Sequence, residues 1–143
     1  MIIKKANKKD LKKIAKIMME EFSKPPFNEK NPLKDILKSL NFYLKNAEIF
    51  IISNKEILGL IIFQIEQWWE GKVIIVQDLI VKKEFQKNNI GKELMNFLEK
   101  YAHNKKMKRI YFETNKKAPS INFYKKIGYK INKDRISMSK KII

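Results

Sequence analysis

Cysteine is absent from this chain of 143 residues, which excludes disulfides, thiolate-bound zinc and a cysteine nucleophile. Histidine occurs once, at His103, so there is neither a histidine-rich metal site nor a Ser/His/Asp triad. We expect no bound metal, and we read His103 as a solvated residue near a helix end. Long apolar runs are missing too. The longest, Ile57 to Phe63, is far short of a membrane span, and the first residues lack the apolar stretch of a signal peptide. The expectation is a cytoplasmic protein with no membrane partner.

Arginine is nearly as scarce, with Arg109 and Arg135 the two among 32 basic residues. Against 15 acidic residues the formal charge is +17, which favours anionic ligands such as nucleic acid or phosphorylated molecules. Readers of nucleic-acid sequence lean on the guanidinium fork, so a specific nucleic-acid partner is disfavoured. The lysines are spread along the whole chain among isoleucines and asparagines, as an AT-rich genome would produce. Whatever its origin, the field attracts an anionic cofactor and repels a polycationic substrate. Apolar residues make up 44% of the chain, enough for a packed core at this length, and one domain over residues 1–143 is expected.

Ile2 and Ile3 open a short strand. The set Leu11, Ile14, Ala15, Met18, Phe22 has helical spacing, as does Leu33, Ile36, Leu37, Leu40, Leu44, and the Pro-rich stretch from Ser23 to Asn31 separates the two helices. Glu48 to Ser53 and Ile57 to Ile65 read as an antiparallel hairpin. A connection over Trp68 to Lys72 leads into a long strand, Val73 to Lys82. A third helix begins at Ile90 and ends in the cluster Lys105, Lys106, Lys108; a strand over Arg109 to Thr114 follows. Pro119 suits the start of a short helix that Gly128 stops. Two last strands are expected around Tyr129 to Ile131 and Ile136 to Lys141. The fold class is α/β (α+β): a mixed, mostly antiparallel sheet of about six to seven strands flanked by four helices.

Two stretches carry the chemistry. In the first, the strand Val76-Gln77-Asp78-Leu79-Ile80-Val81 runs into a polar loop, Lys82 to Asn89, and then a helix opening Ile90-Gly91-Lys92. Such a helix start offers unpaired N–H groups to an anion, Gly91 permits close approach, and Lys87 and Lys92 add charge; a tight turn alone would also explain the glycine. The second runs Asn115-Lys116-Lys117-Ala118-Pro119-Ser120-Ile121-Asn122-Phe123-Tyr124, followed by Gly128-Tyr129.

Together these stretches resemble the Gcn5-related N-acetyltransferase family, whose cofactor motif is Arg/Gln-x-x-Gly-x-Gly/Ala and whose later motif is Phe-Tyr, three residues, then Gly and an aromatic. Gln86 and Gly91 fit the first motif, with Asn89 where its first glycine belongs; asparagine tolerates a left-handed backbone. Within the family, Trp69-x-Gly71-Lys72 and the run from Pro119 are similar to the diamine and polyamine acetyltransferase branch. Gln77-Asp78 stands where that branch carries Glu-Asp, and Lys117 where the family has an asparagine.

The resemblance implies acetyl transfer from acetyl-CoA to a primary amine in a ternary complex, the acceptor being a small molecule such as a polyamine or diamine. A peptide or protein amine, and a non-catalytic nucleic-acid-binding domain, stay open as alternatives, as does a homodimer. It also implies that acetyl-CoA is held by Leu79, Ile80, Val81, Gln86, Lys87, Asn88, Asn89, Ile90, Gly91 and Lys92, with Asn115, Ser120 and Tyr124. A backbone N–H within Leu79 to Val81 would donate to the thioester oxygen. Tyr124 would protonate the leaving thiolate, the alternative being a core tyrosine on an apolar stripe. Asp78 is the first candidate for the base, ahead of Glu113 and Glu70, unless it pairs with a lysine. Phe27, Trp68, Trp69 and Gln77, with Asp78 and Glu113, are candidates for the acceptor site.

Overall fold

Ile2–Lys5 forms the first strand, β1, and Asn7 then starts the first helical segment by a reciprocal cap: its Oδ1 accepts the Lys9 N–H, and Asp10 Oδ2 accepts the Asn7 N–H, both at 2.9 Å. Helices α1 (Leu11–Phe22) and α2 (Leu33–Asn46) follow. Next come strands β2 (Glu48–Ser53), β3 (Ile57–Trp68) and β4 (Gly71–Val81), helix α3 (Ile90–Asn104), strand β5 (Arg109–Tyr111) and helix α4 (Ser120–Lys126). The computed structural model describes residues 1–143 and divides into two units, Met1–Glu113 and Thr114–Ile143. No helix is long and apolar enough to cross a membrane.

The first unit is built on one sheet in the order β1-β2-β3-β4-β5, antiparallel except for the β4–β5 pair. Its two faces are both covered. Ile14, Ala15 and Met18 of α1 and Leu40 of α2 share a core with Ile49, Ile51, Leu60, Ile62 and Ile80. On the other face Phe97 and Tyr101 of α3 meet Phe50 and Phe63, with ring centroids 4.7 Å (Phe97–Phe50) and 5.1 Å (Tyr101–Phe63) apart. Burial on both faces explains why β3 reads as a continuous apolar run without alternation.

Three expectations need correction. The connection proposed over Trp68 to Lys72 is only a two-residue turn, Trp69-Glu70, because Gly71 at φ +134° lets the chain reverse at once and both strands extend to it. The strand expected to reach Thr114 ends at Tyr111. The two final strands are not formed, so the sheet has five strands and not six or seven. Ile136 and Met138 do have the alternation of a strand, but a strand exists only where its backbone pairs with another, and these side chains are 85% and 86% exposed.

Candidate active site

The site begins with an irregularity in β4. Ile62 pairs with Asp78 but Phe63 pairs with Val76, so Gln77 is an extra residue, a β-bulge, and its Nε2 donates to Gln64 Oε1 across the ladder at 2.8 Å. Parallel pairing with β5 stops just before it, at Ile75–Tyr111. From Val76 to Val81, β4 therefore has a partner only on its β3 side. The Lys82 N–H donates to the Leu58 carbonyl at 3.0 Å, which sets the alternation of the antiparallel ladder. Counting back from it, Ile80 bonds towards β3, while Leu79 and Val81 turn their N–H and C=O groups to the open edge. Gln86 agrees with this, since its Nε2 reaches the outward Val81 carbonyl at 3.0 Å.

Beyond Val81 a single 3₁₀ turn, Lys83–Phe85, leads to Asn89, which adopts the left-handed conformation at φ 61°, ψ 17° as it caps α3. The first intrahelical bond of α3 is from the Glu93 N–H to the Asn89 carbonyl. The N–H groups of Ile90, Gly91 and Lys92 consequently have no acceptor within the helix. Lys87, Asn88, Asn89 and Lys92 are exposed around them. Donors without partners, a helix dipole and lysines form a set that fits an anionic pyrophosphate.

On the α1–α2 face the bulge delivers Asp78. Its carboxyl pKa is pushed up to about 7, chiefly by burial and further by the negative charge of Glu29. Tyr43 of α2 is raised in turn by its own burial and by Asp78. Glu29 and Tyr43 are neighbours that the sequence did not single out: one lies in a loop without a motif, the other on an ordinary helix face. Phe27 occupies the same loop, edge-on to Phe22 with centroids 5.5 Å apart. That loop also feels the β4 end at a second point. Lys24, raised mainly by its hydrogen bond to Glu21 at 2.8 Å, is raised slightly by Glu84 in the 3₁₀ turn. Glu29 lines a groove of about 670 Å³ with Lys16, Glu20 and Lys30.

Other sequence candidates lie elsewhere. Trp69 is fully exposed at the β3–β4 turn, nine residues of extended chain from Asp78, so the two do not share a pocket within one chain. Glu70 at the same turn is held in a two-pronged ion pair by Arg109 (2.7 and 3.1 Å), and that hydrogen bonding lowers its pKa. It is not placed to act as a base beside Asp78. Trp68 packs edge-on to Tyr111 at 5.6 Å, and Glu113, exposed just past β5, accepts from the Tyr111 hydroxyl at 3.4 Å.

The second unit has its own order. Asn115 Oδ1 accepts the Lys117 N–H at 2.8 Å, a local turn that leads to Pro119 and Ser120 at the start of α4. Tyr124, partly buried on α4, lies 5.2 Å from Phe123 and 6.1 Å from Tyr129 between ring centroids. Burial pushes its phenol up to about 12. Gly128, at φ +101°, ends the helix and returns the Tyr129 N–H to the Tyr124 carbonyl at 3.0 Å.

A family model described as acetyltransferase (GNAT) family matches residues 11–129. A search of curated proteins finds no match. Among solved structures, a possible acetyltransferase from Clostridium difficile 630 is similar at TM-score 0.88 and 15% identity, over 99% of this chain and 98% of that one. AAC(6')-Iy, in complex with the bisubstrate analog CoA-S-monomethyl-acetylneamine, gives 0.79 at 16% identity over 99% and 98%. An aminoglycoside acetyltransferase from an uncultured soil metagenomic sample gives 0.75 at 17% over 99% and 96%. At these identities the likeness is one of fold.

Proposed function

This chain belongs to the GNAT acetyltransferase family, and from that premise we propose that it transfers an acetyl group from acetyl-CoA directly to a primary amine of a small molecule. The observation that carries the reading is the bulged β4 with its open edge, running straight into the donor-rich start of α3. Acetyl-CoA supplies an activated acetyl thioester when bound. The amides of Ile90, Gly91 and Lys92, with Gln86, Lys87, Asn88 and Asn89 around them, bind its pyrophosphate; Asn115 and Ser120 are proposed to assist. One outward N–H of this edge, that of Leu79 or of Val81, donates to the carbonyl oxygen as negative charge develops there.

The acceptor must lose a proton before it attacks. For an alkylamine of pKa about 10.4, deprotonation at pH 7 costs roughly 4.6 kcal/mol. Asp78, with a pKa near 7, is matched to that task as general base, and Gln77 and Phe27 contribute to the acceptor side. Tyr124 gives its proton to the departing thiolate, its ring being flanked by Phe123 and Tyr129. A small-molecule acceptor is supported by the similar folds of an aminoglycoside acetyltransferase and of AAC(6')-Iy bound to CoA-S-monomethyl-acetylneamine.

Tyr124→Phe tests the assignment. Turnover should fall by about 10²- to 10⁴-fold while the acetyl-CoA dissociation constant stays put, because the proton is given only in the transition state. A Phe variant within about threefold of wild-type turnover, with chemistry rate-limiting, returns the proton to water.

A further inference from the structure

Strand β3 is buried without a break from Ile57 to Phe63 and meets its first polar side chain at Gln64, beside the bulge in β4. Gln64 pairs with Ile75, and its Oε1 accepts from Gln77, two residues further along β4. The ladder alone does not say which residue of β4 is the extra one. Phe63 pairs with Val76 and Ile61 with Leu79, which leaves Gln77 and Asp78 to contend for the single place opposite Ile62. Were Asp78 the extra residue, Gln77 would take that place with both flanking pairs unchanged.

The place matters because Ile62 belongs to the core beneath α1 and α2, so the residue opposite it is directed to that face. Gln64, two residues from Ile62 in β3, is on the same face, and a diagonal cross-strand neighbour is within reach of a side chain as long as glutamine. The hydrogen bond from Gln77 to Gln64 therefore distinguishes the two arrangements: it draws Gln77 back along the strand and leaves the place to Asp78. Resting on the acetyl-transfer reading above, we propose that Gln64 is a positioning residue: by holding the Gln77 side chain it fixes the bulge there and so seats Asp78 opposite Ile62, facing the acceptor. A side chain at 64 with no acceptor atom releases Gln77, and Asp78 then competes with it for one seat.

Gln64→Met keeps the length of the side chain and removes the acceptor. Its kcat, taken at the pH-independent maximum, should fall by about tenfold to 10²-fold, the loss expected when a catalytic group is misplaced. The acetyl-CoA dissociation constant should change by less than about twofold, because the pyrophosphate donors belong to α3. Gln64→Glu, which can still accept from Gln77, should keep that maximum within about threefold of wild type. In a Gln77→Met background, where the bond is already gone, Gln64→Met should cost less than about twofold more. A Met variant with wild-type kcat, a Glu variant as impaired as Met, or equal losses in both backgrounds overturns the proposal. Cross-strand nuclear Overhauser contacts test the geometry without any turnover. Ile62 should contact Asp78 in the wild type, and both Asp78 and Gln77 in Gln64→Met. Contacts that do not change in the variant overturn the proposal, whereas a wild-type protein that acetylates no amine overturns only the reading on which it rests.

Discussion

A carboxyl group with a pKa near 7 changes its charge across the range in which the protein would be assayed, and Asp78 is that group. As the base it must be ionised, so kcat/KM should rise with pH through about 7. Stability should respond with the opposite sign. The native carboxyl binds a proton more tightly than the unfolded one, so its contribution is complete below about pH 4 and is lost as pH rises through 7. Asp78→Asn should remove the rising limb, and Glu29→Gln should move it to lower pH without abolishing it, because burial, the larger cause, remains. A pH–rate series on the three proteins checks this, and an unmoved limb in Asp78→Asn would assign the base elsewhere. Asp78 stood out in the sequence as a carboxyl in the strand before the polar loop, and its burial comes from the fold. Glu29 and Tyr43 did not stand out, since nothing local marks a residue whose role comes from a contact made by the fold.

The element that matters most is the start of α3, where the chain leaves a strand, makes one 3₁₀ turn and enters a helix through a left-handed residue. Gly91→Glu should abolish acetyl-CoA binding, by placing a bulky anion among the free amides. Asn89→Gly should preserve binding, while Asn89→Ala should weaken it, the left-handed conformation costing a residue with Cβ about 1–2 kcal/mol. Calorimetry on folded variants checks all three, and full affinity in Gly91→Glu would remove the pyrophosphate from this helix. The helices and the β2–β3 hairpin could be read from periodicity because their burial is set by nearest neighbours along the chain. The bulge at Gln77, the turn at Trp69-Glu70 and the missing strands after Tyr129 could not. Each depends on which backbone groups find a partner across the sheet, and composition is silent on that.

For the whole molecule, +17 on 143 residues draws anions towards it, and the free amides at the start of α3 are the place we propose for a pyrophosphate among many lysines. The family was legible because two motifs constrain backbone and chemistry together: a loop that must bend sharply into a helix, and a tyrosine followed by a glycine stop. The acceptor was not, because the loop that approaches Asp78 does so through Glu29, which only the fold brings to it. The most direct test of the account is therefore transfer itself: free thiol release from acetyl-CoA, with mass detection of the product, against polyamines, aminoglycosides, amino acids and short peptides. The account predicts thiol release that requires a small amine and yields the N-acetylated amine in equal amount. Acetyl-CoA bound but never transferred to any of these amines, or thiol released with no acetylated amine formed, would contradict it.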